Sequence, residues 1–136
     1  MTEANMNNSK VRKIEEVLVA QSASDGDGVR LKRVFGGCNL ARFDPFLMLD
    51  EFGSNDPGDY IGGFPSHPHR GFETITYVRT GICDHSDSMG ATARFGRGDT
   101  QWMTAGGGIL HIETPPEFLV ASGGLFHGFQ LWVNLP

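Results

Sequence analysis

Residues 62–78 read GGFPSHPHRGFETITYV, and this stretch carries most of the information about the fold. Its last five residues, from Thr74 to Val78, are all β-branched or aromatic, which is typical of a strand. Two glycines open the stretch and Gly71 divides it, and glycine favours turns. The stretch therefore predicts short strands that are separated by glycine turns.

The same pattern continues on both sides of this stretch. Residues 29–35 alternate apolar and basic side chains with a period of two, as a half-buried strand does. Residues 46–52 form a short apolar run between Pro45 and Gly53, which favours a buried strand over a helix. Residues 116–121 come nearest to a helix but are too few to predict one. Further strands are predicted in the second half of residues 10–20 and at residues 74–78, 91–95, 101–104, 109–113 and 126–133. Many short strands between glycine turns predict an all-β sandwich or barrel.

Length, composition and charge restrict the possible functions. The chain has 136 residues, of which 39% are hydrophobic and 20% charged, and this fits one globular domain. Residues 1–10 are polar and aperiodic and are predicted to be disordered, which leaves residues 11–136 as a single domain. The net charge of −5 argues against direct nucleic-acid binding, which needs a basic surface. No signal peptide opens the chain and no apolar run approaches the ~20 residues that cross a bilayer, so we expect a cytoplasmic protein without membrane contact.

Two of the five histidines lie in the sequence Ser66-His67-Pro68-His69. On a strand, residues i and i+2 point to the same face, so His67 and His69 would aim their imidazoles at one point. Pro68 has no N–H for a strand ladder, which places the pair on an edge strand or at a strand start. A ligand could reach the two rings there.

A second pair with the same spacing is His111-Ile112-Glu113. Neighbouring strands of a barrel would bring both pairs to one interior spot. Three imidazoles and one carboxylate suit iron(II), manganese, cobalt, nickel, copper or zinc, with positions left open for substrate or oxygen. The set contains no thiolate, whereas a closed structural zinc site typically contains cysteine thiolates. We therefore predict a metal site formed by His67, His69, His111 and Glu113.

Other chemistry-bearing residues are predicted to stay outside this site. His85 lies in the polar sequence Asp84-His85-Ser86-Asp87, which predicts a solvated turn. His127 precedes the last strand and is not expected to be a ligand. Glu73 is a further ligand or a partner of one, since Gly71 leaves its direction open. Residues 106–108 are all glycine but lack a phosphate-binding pattern, so they predict a sharp turn.

The same residues resemble the pirin family of the cupin superfamily. The resemblance is carried by residues 44–52 (DPFLMLDEF), 62–74 (GGFPSHPHRGFET), 98–106 (GDTQWMTAG), 108–113 (GILHIE) and 130–136 (QLWVNLP). It runs from about residue 12 to the end of the chain. Pirins have two cupin domains, and the similarity covers only the first, metal-binding one. Ser66 departs from the family, which usually has an acidic residue there.

The resemblance implies a cupin jelly-roll barrel, that is, a double-stranded β-helix, with one iron ion. The family's ligands fall on His67, His69, His111 and Glu113. It also implies an iron-dependent dioxygenase of the quercetin 2,3-dioxygenase type, which opens a flavonol-like substrate. In such an enzyme Glu113 would also take the substrate's hydroxyl proton. The alternative is a non-enzymatic, redox-sensing iron protein that regulates a protein partner, such as a transcription cofactor or a metabolic enzyme.

The last strand also leads to an expectation about assembly. Residues 131–135 are strongly apolar, and without the second domain of a pirin they would leave an unpaired apolar edge. An edge of this kind recruits another chain, so we predict a homodimer with contacts near Trp132 and around residues 17–19.

Overall fold

The computed structural model describes residues 12–38 and 40–135, and these residues fold into two antiparallel sheets. The strands in the described part of the chain are β1 (Gln21–Asp25), β2 (Val29–Gly36), β3 (Phe46–Ser54), β4 (Phe64–His69), β5 (Glu73–Thr80), β6 (Ile82–Asp87), β7 (Thr92–Gly96), β8 (Thr100–Thr104), β9 (Ile109–Thr114) and β10 (Phe126–Val133). The helices are α1 (Leu40–Phe43), a 3-10 helix (Pro57–Asp59) and α2 (Glu117–Ser122).

The order of the strands decides which of them can hold a site. The larger sheet has the order β1-β2-β3-β10-β5-β8, and the smaller sheet has the order β4-β9-β6-β7. Strand β9 therefore lies inside the smaller sheet, with β4 at its edge. The predicted all-β architecture is confirmed, and so is the edge position of the strand that contains Pro68.

An apolar core fills one part of the space between the sheets. Both sheets and α2 contribute to it, because alternate residues of each strand point inward. Its buried members are Val29, Leu31, Phe52, Tyr60, Val78, Cys83, Phe95, Leu119 and Phe126. Phe126 contacts both Phe52 and Tyr60, with ring centroids 5.0 and 5.5 Å apart. The region around His111 lies outside this cluster and is polar, which leaves room for a site.

Some local predictions were wrong. Residues 12–20 form no strand, and β1 begins only at Gln21, because the apolar side chains of this segment lie largely on the surface. Strand β6 replaces the turn predicted around His85, since its polar residues pair with β7 and β9 inside a sheet. Helix α2 does form near residues 116–121. The predicted disorder of residues 1–10 lies outside the described residues.

The last strand is not an edge. Strand β10 pairs with β3 on one side and with β5 on the other, so the larger sheet uses both of its ladders. The unpaired edge from which a homodimer was predicted is therefore absent, because β10 closes this barrel's own sheet. The homodimer stays a prediction, but the unpaired edge no longer supports it.

In the described part of the chain, every helix is too short or too polar to cross a membrane.

We predict that Gly128→Ala destabilises the protein, because β10 crosses the core at this position. A Cβ there would lie 2.5 Å from a ring carbon of Phe52 and 2.5 Å from the Tyr77 carbonyl oxygen. Overpacking of this kind costs about 1–3 kcal/mol. Gly107→Ala is the matched control, since a Cβ at Gly107 meets no atom within 4 Å. Urea unfolding measures the free energy of unfolding of both variants. Equal stability of the two variants would contradict the central position of β10.

Candidate metal centre

The site is built by the pairing of β4 with β9. His67 lies directly opposite His111 in this antiparallel ladder, and His69 lies opposite Ile109. The register shifts between Phe64 and His67, so β4 carries a bulge just before the histidines. Bulges re-aim side chains and occur often beside functional sites. The predicted convergence of the two pairs on neighbouring strands therefore holds for the three imidazoles.

The three Nε2 atoms face one another. His67 Nε2 lies 3.0 Å from His69 Nε2 and 2.9 Å from His111 Nε2. Nitrogen ligands bind a zinc-like ion at about 2.1 Å, so two ligands at right angles to each other are about 3.0 Å apart. The observed separations match this value. These two separations suit a shared transition-metal ion, and the donor atoms of His69 and His111 lie within 4.8 Å of each other.

The protonation of His67 suits a metal ligand. Its Nδ1 lies 2.7 Å from the carbonyl oxygen of Pro65, which can only accept a hydrogen bond. The ring therefore carries its proton on Nδ1, and the lone pair of Nε2 faces His69 and His111. A backbone carbonyl commonly fixes a metal-binding histidine in this way.

Burial keeps the other two rings neutral. His69 and His111 are 7% and 2% exposed. Burial and the neighbouring His67 lower the pKa of His69 to about 4, and burial together with the surrounding histidines lowers the pKa of His111 to about 3. A metal at neutral pH therefore has no proton to displace from these two rings.

Glu113 lies on the same face of β9 as His111 but is not in the same cluster. His67, His69 and His111 form one group of donor atoms within 4.8 Å of one another, whereas Glu113 falls in a second group with His85 and His111. A fourth bond from Glu113 to the metal of the first group stays a prediction.

Hydrogen bonds surround the buried Glu113 carboxylate, which is 3% exposed. The hydroxyl of Thr76 donates to Oε1 at 3.2 Å, and the amide of Gln130 donates to Oε2 at 3.2 Å. Burial nevertheless raises the pKa of Glu113, because it disfavours the charged form more than these two donors favour it.

His85 is the main correction to the sequence-based site. It is not solvated but 5% exposed on the inner face of β6. Its Nδ1 lies 3.5 Å from His111 Nδ1, and its Nε2 lies 3.2 Å from an oxygen of Asp87. The polar sequence around it suggested a turn, but the alternation of Cys83, His85 and Asp87 could have indicated an inward-facing strand.

The remaining candidate residues have partners outside the histidine cluster. His127 pairs with Glu51 at 2.9 Å, outside the cluster. Glu73 accepts hydrogen bonds from Trp102 Nε1 and the Thr104 hydroxyl, so its carboxylate is bound away from the histidines. Residues 106–108 form the predicted turn, in which the Gly106 carbonyl accepts a bond from the N–H of Gly71.

A cleft of about 630 Å³ opens beside the histidines. It is lined by residues of the turn before β2, by β4 and the residues that follow it, and by β10; among them are Phe64, His67, His69, Arg70, Phe72, Gln130 and Trp132. His69 contacts both Phe72 and Trp132, with ring centroids 5.2 and 5.3 Å apart. Sequence reasoning missed Gln130 and Trp132 as site residues. The available signal was Gln130, a polar residue within the otherwise apolar residues 129–133.

We predict that His69→Ala strongly lowers the amount of bound metal, since it removes one of three converging nitrogens. His127→Ala is the matched control, because this ring lies outside the cluster. Metal content of both purified variants, measured by mass spectrometry after identical loading with iron(II), checks the assignment. Equal losses in the two variants would show that the ligands are assigned wrongly.

Comparison with known proteins identifies the family of the chain. Residues 28–133 match the family model described as Pirin. A Pseudomonas aeruginosa protein with the provisional name quercetin 2,3-dioxygenase is 52% identical over 128 residues, which cover 94% of this chain and 44% of that protein. The chain thus spans less than half the length of this curated relative.

Superposition on solved structures identifies the fold. A quercetin 2,3-dioxygenase from Acinetobacter baumannii superposes with a TM-score of 0.75 at 43% identity, covering 85% of this chain and 41% of that one. A bacterial pirin from Escherichia coli in complex with nickel(II) superposes with a TM-score of 0.64 at 27% identity, covering 85% and 48%. A Methanocaldococcus jannaschii cupin with a double-stranded β-helix fold is only 6% identical, has a TM-score of 0.57 over 90% and 94% of the two chains, and shows the fold alone. The fold is the cupin double-stranded β-helix, and the chain belongs to the pirin family.

Proposed function

We propose that this chain forms the catalytic centre of an iron(II)-dependent dioxygenase of the quercetin 2,3-dioxygenase type, which opens a flavonol-like aromatic substrate. Its ligands are His67, His69, His111 and Glu113. Relatives that carry this enzyme name support the proposal. Both atoms of O₂ enter the products of a dioxygenase reaction, so the oxidation needs no outside reductant.

The observation that carries the proposal is the position of the donors. Three imidazole nitrogens converge beside an open cleft rather than in a closed interior. A closed structural site would surround its ion with protein ligands, whereas a catalytic site leaves positions free. The cleft volume of about 630 Å³ lies in the range of about 300–1,000 Å³ of small-molecule pockets.

The cleft walls favour a flat aromatic substrate. Phe72 and Trp132 contact each other, with ring centroids 4.8 Å apart and planes 38° apart, and both line the cleft. Aromatic walls bind a planar ring through stacking and apolar contact. Arg70 at the same cleft offers hydrogen bonds to the phenolic oxygens of such a molecule.

The bound metal would supply Lewis acidity and would orient the substrate and oxygen. The chain's own contribution is proton transfer and positioning. Glu113, with its raised pKa, is a carboxylate suited to accept the proton of a substrate hydroxyl. Gln130 donates to Glu113 and also lines the cleft, so it connects this carboxylate to the substrate space.

The alternative is a metal-binding regulator without catalysis, which acts on a protein partner. The same histidines would serve it, so metal binding alone does not separate the two functions. Turnover does, because only the enzyme consumes a flavonol.

We predict that the protein, loaded with iron(II) without oxygen, consumes quercetin when oxygen is admitted. Loss of the flavonol absorbance and uptake of oxygen measure the reaction. His69→Ala should abolish it, and His127→Ala should keep it. Full iron loading without any quercetin loss would rule out the flavonol dioxygenase and favour the regulator.

We also predict that Glu113→Gln lowers turnover by about 10²–10⁴-fold at saturating iron, since a proton acceptor is removed. Glu73→Gln is the matched control, because this carboxylate is bound to Trp102 and Thr104 instead. Iron content is measured in parallel. Unchanged turnover in iron-loaded Glu113→Gln would exclude this carboxylate as the base.

A further inference from the structure

A buried carboxylate and a buried imidazole lie directly behind His111, on the side away from His67. Strand β6 pairs with β9 so that Asp87 is opposite His111 and His85 is opposite Glu113. The side chains of His85 and Asp87 are 3% and 7% exposed. The proposed dioxygenase chemistry assigns neither residue a role.

The Asp87 carboxylate is held in place by its own turn. The backbone N–H groups of Met89 and Ala91 donate to Oδ1 at 2.9 and 3.1 Å. The other oxygen, Oδ2, lies 3.2 Å from His85 Nε2. The hydrogen bond with His85, with help from the two N–H groups, holds the pKa of Asp87 below its usual range. The carboxylate is therefore ionised and can only accept hydrogen bonds.

The Asp87 carboxylate influences which ring nitrogens carry protons, first in His85 and then in His111. The acceptor at Oδ2 draws a proton to His85 Nε2, and in the tautomer with that proton the Nδ1 of His85 presents a lone pair. That lone pair faces His111 Nδ1 at 3.5 Å, a long hydrogen-bond distance, and favours a proton on His111 Nδ1. His111 Nε2 then has its own lone pair free, and this atom is the one that lies 2.9 Å from His67 Nε2.

We propose that Asp87 and His85 are positioning residues that hold His111 in the tautomer whose Nε2 binds the metal. The inference rests on the proposed metal centre and goes beyond it, since neither residue touches the metal. Partners that orient a ligand in this way typically contribute about 10–100-fold to metal affinity.

The test is Asp87→Asn, which keeps the size of the side chain. The Asn oxygen still accepts from Met89 and Ala91, but its NH₂ group now faces His85 Nε2. The protons along the chain are then reversed, and His111 carries its proton on Nε2, where the metal should bind. We expect the dissociation constant for zinc(II), measured by competition with a chelator, to rise about 10–100-fold.

Asp84→Asn is the matched control. It removes the same charge from the same strand, but Asp84 binds Arg94, with oxygen–nitrogen distances of 2.6 and 2.7 Å, and not a histidine. Zinc affinity should be unchanged in this variant. Equal zinc affinity in the Asp87→Asn and Asp84→Asn variants would overturn the proposal.

Nitrogen-15 NMR of the imidazoles gives a readout that a merely structural role would not change. In the zinc-free wild type we expect the proton of His85 on Nε2, and in the zinc-free Asp87→Asn variant we expect it on Nδ1. If Asp87→Asn does not fold, the wild-type spectrum still decides, because a proton on Nδ1 of His85 there would overturn the proposal. Failure of the wild type to bind zinc would instead refute the metal centre on which the proposal rests.

Discussion

The pairing register between β4 and β9 is the constraint on which the site depends. Because His67 lies opposite His111, two histidines separated by more than forty residues place their Nε2 atoms 2.9 Å apart. A slip of one residue would turn the whole face of β4 away from the interior. The bulge before His67 and the bond from its ring to Pro65 fix this register and the ring direction together.

The barrel interior is divided between an apolar core and a polar region. Glu113 lies at the boundary, since a small enclosed cavity beside it is lined both by core residues such as Val29 and Phe126 and by Thr76 and Gln130. A buried carboxylate without partners is costly, and the two donors offset this cost. The Trp132 indole donates to Gln130 in turn, so one series of hydrogen bonds runs from Glu113 to the cleft.

The described residues surround the candidate metal centre on two sides. The aromatic cleft, where a substrate would bind, lies on one side of the histidines. His85 and Asp87 of β6 lie behind His111 on the other side. The chain spans less than half of its curated relative from Pseudomonas aeruginosa. The metal chemistry proposed here can nevertheless be measured on this chain, because its donors lie in strands of one barrel.

The sequence by itself determined the all-β class and the family, and it predicted that His67, His69 and His111 lie close together. These features depend on local patterns: alternation along a strand, the i, i+2 spacing of His67 and His69, and the missing N–H of Pro68. Only the tertiary structure decided that β10 lies inside a sheet, that residues 12–20 form no strand, and that His85 is buried against His111. The sequence around His85 is polar, and polar residues indicate a turn unless a neighbouring strand supplies partners for them. That neighbour, β9, is more than twenty residues away along the chain, so the contact depends on strand order, which no local pattern contains.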